Sequence, residues 1–174
     1  MSSDWIKEIK DNDKRAESQE SGRLQKVVED SMIVASGENE FFSQLVAALE
    51  SDAARMSEIG LNGHVTKQGS PDRYTSCHIG VELHGLNPSL TSTTIHHDPG
   101  SQRLRCLTAK GGHQQTHFDL VPYPQGGVGL AYSNRVLTAR EFADITMEIP
   151  CAHRLAKYEA NKPADSQHQS NSSR

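Results

Sequence analysis

The stretch HIGVELHG, residues 78–85, places two histidines and a glutamate within seven residues, and it can be read as a metal or catalytic cluster or as a β-strand. With Cys77 in front of it, the alternation decides between them. Cys77, Ile79, Val81 and Leu83 form one set, and His78, Gly80, Glu82 and His84 fall between them. Successive strand side chains point to opposite faces, and the apolar set is the one that gains from burial. The reading is therefore a half-buried strand with its histidines on the outer face of a sheet.

The same period extends outward. Between residues 63 and 133 the chain is rich in Thr, Val, Ile and Tyr and is punctuated by the turn clusters GSPD, GLNPS, DPGS, KGG and PQGG. Such spacing predicts five to six short antiparallel strands joined as a meander, with no helical crossover between them. Before Gly60 the period is helical. Phe41, Phe42, Leu45, Val46, Leu49, Ala53 and Met56 share one face, with Asn39 or Ser36 placed as an N-cap and Gly60 as the left-handed residue after the end. An earlier stripe through Leu24, Val27, Val28 and Ser31 predicts a separate helix ending near Ser36-Gly37.

After the sheet, Thr138 and Glu141 make a T-x-x-E capping box. It opens a final helix whose Phe142, Ile145, Thr146 and Ile149 share a face and which Pro150 ends. The fold class is α+β: N-terminal helices, an antiparallel meander sheet, and a C-terminal helix packing on it. Residues 1–22 read as a charged helical extension, 23–158 as a single α+β domain and 159–174 as a polar, disordered tail.

Composition narrows the function. Eighteen bases against 22 acids give a net charge of −4, without the basic stripe that a nucleic-acid surface needs. No apolar run approaches the ~20 residues of a membrane span. Trp5 and Ile9 form an apolar face one turn wide, better suited to a partner helix or a dimer contact than to a membrane surface. Cysteines occur at 77, 106 and 151 with no C-x-x-C pair, which suits a reducing cytoplasm.

The histidines test the metal reading. His113-x-x-x-His117 would place two ligands over one ion on a helix, but this segment reads as strand, where residues four apart are about 13 Å from each other. Pairing apolar residues across hairpins matches Ile79 with Ile95, Ile95 with Leu104, and Leu104 with Leu120, leaving residues 111–113 as a three-residue loop. That register puts His78 beside His96 and then Arg103, Arg105 opposite Asp119, and Glu82 opposite Ser92. An arginine beside a histidine pair repels a cation.

His96-His97-Asp98 reads as a strand end entering an Asp-Pro-Gly turn, and Cys106 falls on the core face, where a thiol is inert. The expectation is no catalytic, cofactor or metal site. The alternative is a metal-binding protein or enzyme using the sheet face of His78, Glu82, His84, His96 and His117.

DWIKEIK in a charged first helix, FFSQLVAALESDAARM in a second, the meander, and LTAREFADIT opening the last helix resemble, in their order, a group of small uncharacterised bacterial proteins. The resemblance covers most of residues 4–151 at the level of pattern and implies this fold, but that group has no assigned activity. The function expected from the sequence is a non-enzymatic protein-interaction module. Its partner is an unknown protein met through the N-terminal helix, with a homo-oligomer as a further possibility.

Overall fold

A computed structural model describes residues 4–58, 62–82, 92–109 and 113–147. One helix, α1 (Asp4–Glu58), precedes seven strands: β1 (Asn62–Ser70), β2 (Arg73–Glu82), β3 (Ser92–His97), β4 (Arg103–Ala109), β5 (His113–Pro122), β6 (Val128–Tyr132) and β7 (Arg135–Leu137). The strands form a single antiparallel sheet in sequence order, so every neighbour in space is a neighbour in the chain. A second helix, α2, occupies residues 139–147 and packs on the sheet.

The α+β class is as the sequence reading has it, but the two expected N-terminal helices are one helix of 55 residues. Gly37 does not break it, because the glycine serves a packing contact. A Cβ there would meet the Val128 side chain at 2.7 Å, so the bare backbone lets α1 settle on β6. Ser36 turns its hydroxyl back to the Ile33 carbonyl at 2.9 Å instead of capping a new helix. The following turn is anchored by the core. Helix propensity costs of about 1 kcal/mol for one glycine are small beside that packing.

The core lies between one face of the sheet and the C-terminal half of α1. Phe41, Phe42, Leu45, Val46 and Leu49 pack against Cys77, Ile79, Ile95, Leu104, Leu120 and Leu130, all buried. Helix α2 adds Phe142, Ala143 and Met147 to the same core. Its capping box is formed: the Thr138 N–H donates to the Glu141 carboxylate at 2.8 Å, and the Glu141 N–H donates to the Thr138 hydroxyl at 3.2 Å. Arg140 ties the two helices by reaching Asp52 at 2.7 Å while also holding Asp144 at 2.6 Å. The expected Gly60 cap, the Pro150 stop and the polar tail lie outside the described residues.

Each hairpin is offset from the expected register by two residues. Cys77, not Ile79, is opposite Ile95; Ile95 is opposite Cys106; and Leu104 is opposite Phe118. A slip of two preserves which face each side chain occupies, so the apolar set stays inside, and His78, His96 and His117 stay on the outer face. The offset at β3–β4 comes from its turn, which takes residues 98–102 and uses positive φ at Gly100 and Gln102.

Candidate functional site

The outer face of the sheet shows where the candidate histidines go. His78 lies opposite Thr94, not beside His96, and its Nδ1 is 2.9 Å from the Thr94 hydroxyl. His96 lies opposite Ser76 on one side and Arg105 on the other, and Arg105 in turn is opposite His117. The row is thus His96–Arg105–His117, with Arg105 between the two histidines where the sequence reading expects Arg103. Arg103 pairs with Asp119 instead, at 2.6 Å, which corrects the expected Arg105–Asp119 pair. Both groups are well exposed, and such a pair is worth about 0.2–1 kcal/mol.

Glu82 ends β2 opposite Asn62, and Gly80 rather than Glu82 is opposite Ser92. His84 lies outside the described residues. His113 and His117 both belong to β5, so the helical chelation spacing does not apply. Among the described residues, His64 and His78 are imidazole neighbours, with ring centroids 6.3 Å apart, and His64 rests on the bare Cα of Gly80. Burial, and secondarily His64, hold the His78 pKa below the ordinary imidazole value. Among the described residues no group of three or more His, Cys, Asp or Glu side chains is placed to hold a metal ion.

Inside the core, the structure joins two residues that the sequence reading kept apart. His97 is fully buried and Glu38 is nearly so. The Glu38 Oε1 accepts the Gly100 N–H, while its Oε2 lies 3.8 Å from His97 Nε2, too far for a hydrogen bond. His97 Nδ1 lies 3.3 Å from the Tyr74 carbonyl, which can only accept, so that nitrogen carries a proton. Phe42 covers the imidazole at a centroid separation of 5.1 Å. The pair has no surface opening for a substrate, and its effect is mechanical: it fixes α1 to the β3–β4 turn. No spacing rule could have found it, because the partners are far apart in sequence and meet only through the helix-on-sheet packing.

A cavity of about 380 Å³ lies between α2 and strands β3 to β5, lined among others by Thr93, Cys106, Thr116, Phe118, Phe142 and Thr146. None of its described lining residues is a carboxylate, histidine or cation. Burial pushes the Cys106 thiol above its usual pKa, leaving it a poor nucleophile near neutral pH. Cys77 is pushed up to about 12 by the same cause. The two thiols flank Ile95 from strands that are not neighbours, so they do not bridge each other.

The remaining candidate is the N-terminal half of α1. Trp5, Ile9, Leu24, Val27, Val28, Met32 and Ile33 are all exposed, with Trp5 at 61%, Leu24 at 59% and Met32 at 68%. Eighteen residues make about five helical turns, so positions that far apart lie on one line of the helix. Leu24, Val27, Val28 and Ser31 therefore precede, on the same lines, Phe42, Leu45, Val46 and Leu49, which are the residues buried against the sheet. Trp5 and Ile9 stand two such intervals before Phe41 and Leu45. The helix runs for roughly 45 Å beyond the core; on the line of its buried face it is apolar at Leu24, Val27 and Val28 and again at Trp5 and Ile9, with Asp13 and Glu17 between these clusters. The only described side-chain tie in this half is Gln102, whose amide donates to the Ser31 hydroxyl at 2.7 Å and to its carbonyl at 3.2 Å. No described helix is long and apolar enough to cross a membrane.

No protein-family model matches the chain, and neither a curated protein nor a solved structure matches it.

Proposed function

We propose that this chain is a non-enzymatic, cytoplasmic protein-interaction module whose working surface is the exposed half of α1. The observation that carries the reading is the continuation of the core-packing face of α1 through Val28, Leu24 and Ile9, where nothing described covers it. Exposed apolar clusters such as Leu24, Val27 and Val28 mark association sites on proteins. A long amphipathic helix offers its i, i+3, i+4 and i+7 residues as anchors for a groove or another helix. The unpaired buried thiols and the net charge of −4 agree with a reducing compartment and with a protein ligand in place of nucleic acid.

The test is affinity capture from native extract with the full chain and with a Leu24→Glu/Val28→Glu double variant, quantified against each other. Loss of bound protein in the variant is the expected result. Retention of every bound protein at wild-type levels would place the interaction surface elsewhere, and the His-bearing sheet face would then be the next to probe.

A further inference from the structure

The row His96–Arg105–His117 is placed to repel a cation, and the same arrangement of charge suits an anion. We infer that the outer face of the sheet carries an oxyanion-binding site centred on Arg105, whose ligand is a phosphate or sulfate group. The site is separate from α1 and does not rest on the interaction reading.

Arg105 is a cation in need of a counter-ion. It stands in the row Gln68–Ser76–His96–Arg105–His117, which crosses five strands and contains no acid. The residue is half-buried, and its Nε is shut off from water without a hydrogen-bond partner. Other cations that pack on the fold are matched: Arg103 by Asp119, Lys67 by Glu50, and Arg140 by Asp52 and Asp144. Among the described residues no carboxylate pairs with Arg105, and Asp119, two residues along β5 from His117, is already held by Arg103 at 2.6 Å. Arg73 and Arg135, elsewhere on the sheet, are exposed and keep their water. A guanidinium cannot shed its charge, and a desolvated charge without a partner is costly. An anion taken from solution removes that cost.

The geometry favours a tetrahedral anion over a carboxylate. Adjacent strands lie about 4.8 Å apart, so His96 and His117 flank Arg105 within a span of about 10 Å. With Nε closed off, the two Nη groups are the donors left, and they form a fork for two oxygens of one anion. A carboxylate spends both its oxygens on that fork. Phosphate and sulfate have further oxygens for the imidazoles on either side. Gln115 holds the His117 ring through Nε2 at 2.7 Å, which leaves Nδ1 as the nitrogen open to a ligand.

Histidine changes charge between about pH 5 and 8, so each imidazole of the row that takes a proton adds to the charge of Arg105. The other described ionisable groups of this face are His64 on β1, His78 on β2, the exposed Asp98 in the turn beyond His96, and the Arg103–Asp119 pair, whose charges cancel. Affinity for a doubly charged anion therefore rises as pH falls.

The experiment is a sodium sulfate titration of the full chain, read by NMR of the arginine and histidine side chains, with sodium chloride holding the ionic strength constant. Sulfate serves as the probe because a phosphate group changes its own charge near pH 6. Saturable shifts at His96, Arg105 and His117 are expected, with tighter binding at about pH 5.5 than at about pH 8. Arg105→Gln should weaken binding about tenfold or more, while Arg73→Gln, which removes the same charge from an exposed position, leaves it unchanged. His96→Asn/His117→Asn should keep binding at high pH and lose the tightening at low pH; this variant carries the test if Arg105→Gln loses the dispersed spectrum of a folded domain. Phenyl phosphate at high pH identifies the source of the anion: binding tighter than sulfate points to a phosphoryl group on a carrier, equal binding to the free ion, and both support the site. Shifts that grow without saturating overturn the inference. So do Arg105→Gln binding like the wild type, a loss in Arg73→Gln as large as in Arg105→Gln, and a pH dependence that the double histidine variant retains in full. None of these outcomes alters the capture result for Leu24→Glu/Val28→Glu, which tests α1.

Discussion

Replacing Glu38 by alanine should detach α1 from the β3–β4 turn. The side chain is almost completely buried, its Oε1 accepts the Gly100 N–H, and its Oε2 faces the buried His97 imidazole at 3.8 Å. Truncation leaves the Gly100 N–H without its acceptor, while His97 Nε2 has no hydrogen-bond partner even in the intact protein. A hydrogen bond to a charged acceptor contributes about 1.5–3 kcal/mol. Gly100 is itself exposed, so the lower end of that range, roughly 1.5 kcal/mol, is the expected loss.

Urea unfolding should show it as a lower midpoint at unchanged slope, since the surface exposed on unfolding hardly changes. The decisive comparison is the double variant Glu38→Leu/His97→Phe, which replaces both polar partners by apolar groups against Phe42. It should recover most of the loss, because removing both partners also removes the uncompensated polar group. A single-variant loss below about 1 kcal/mol, in the range of ordinary surface changes, would refute the idea that this pair anchors the helix. So would a double variant no better than the single one.

Three further outcomes follow from the same geometry. Leu45→Ala, at a fully buried position, should destabilise the fold by about 2–5 kcal/mol, whereas Val27→Ala, five turns earlier on the same line, should change the stability of the separate chain by less than about 0.5 kcal/mol. Urea midpoints at low protein concentration compare them. The N–H and hydroxyl of Thr138 hold the Glu141 carboxyl below its ordinary pKa. Its contribution is therefore present above the ordinary glutamate range and lost as pH falls through the lowered value. Thr138→Ala should cost about 1 kcal/mol at neutral pH and flatten the acid limb of a stability–pH curve. Cys77 and Cys106 should be alkylated only as the domain unfolds, at a rate that rises with urea in peptide-level mass spectrometry; native-state labelling at the rate of a free thiol would contradict their burial.

What the sequence could and could not reveal follows from the physics of each element. Alternation in CHIGVEL gives the face of every residue, because the strand period is two, and the observed burial of Cys77 and Ile79 follows it. Alternation says nothing about a slip of two, which keeps Ile95 inside whether it meets Leu104 or Cys106. The turn geometry at residues 98–102 chose between them, through a positive φ at Gln102 that its residue type does not announce. The Thr138–Glu141 box was legible because its two hydrogen bonds are local.

Gly37 misled because a glycine that ends a helix and one that admits a sheet side chain look alike in one dimension. The contact that distinguishes them, with Val128, is distant in the chain. Glu38 and His97 were invisible for the same reason. Among the proposed alternatives for the sheet face, the pairing of His96 with Arg105 depended on the register and could not be read before it.

The claim that matters most is that the exposed half of α1 is the working surface. Hydroxyl-radical footprinting of the full chain in concentrated native extract tests it directly, because Trp5 and Met32 are both readily oxidised and both more than half exposed in the single chain. The account predicts that these two side chains are strongly protected relative to the Leu24→Glu/Val28→Glu variant in the same extract, while His64 and His117 on the sheet face react equally in both. Free oxidation of Trp5 and Met32 together with protection of the sheet-face histidines would contradict it.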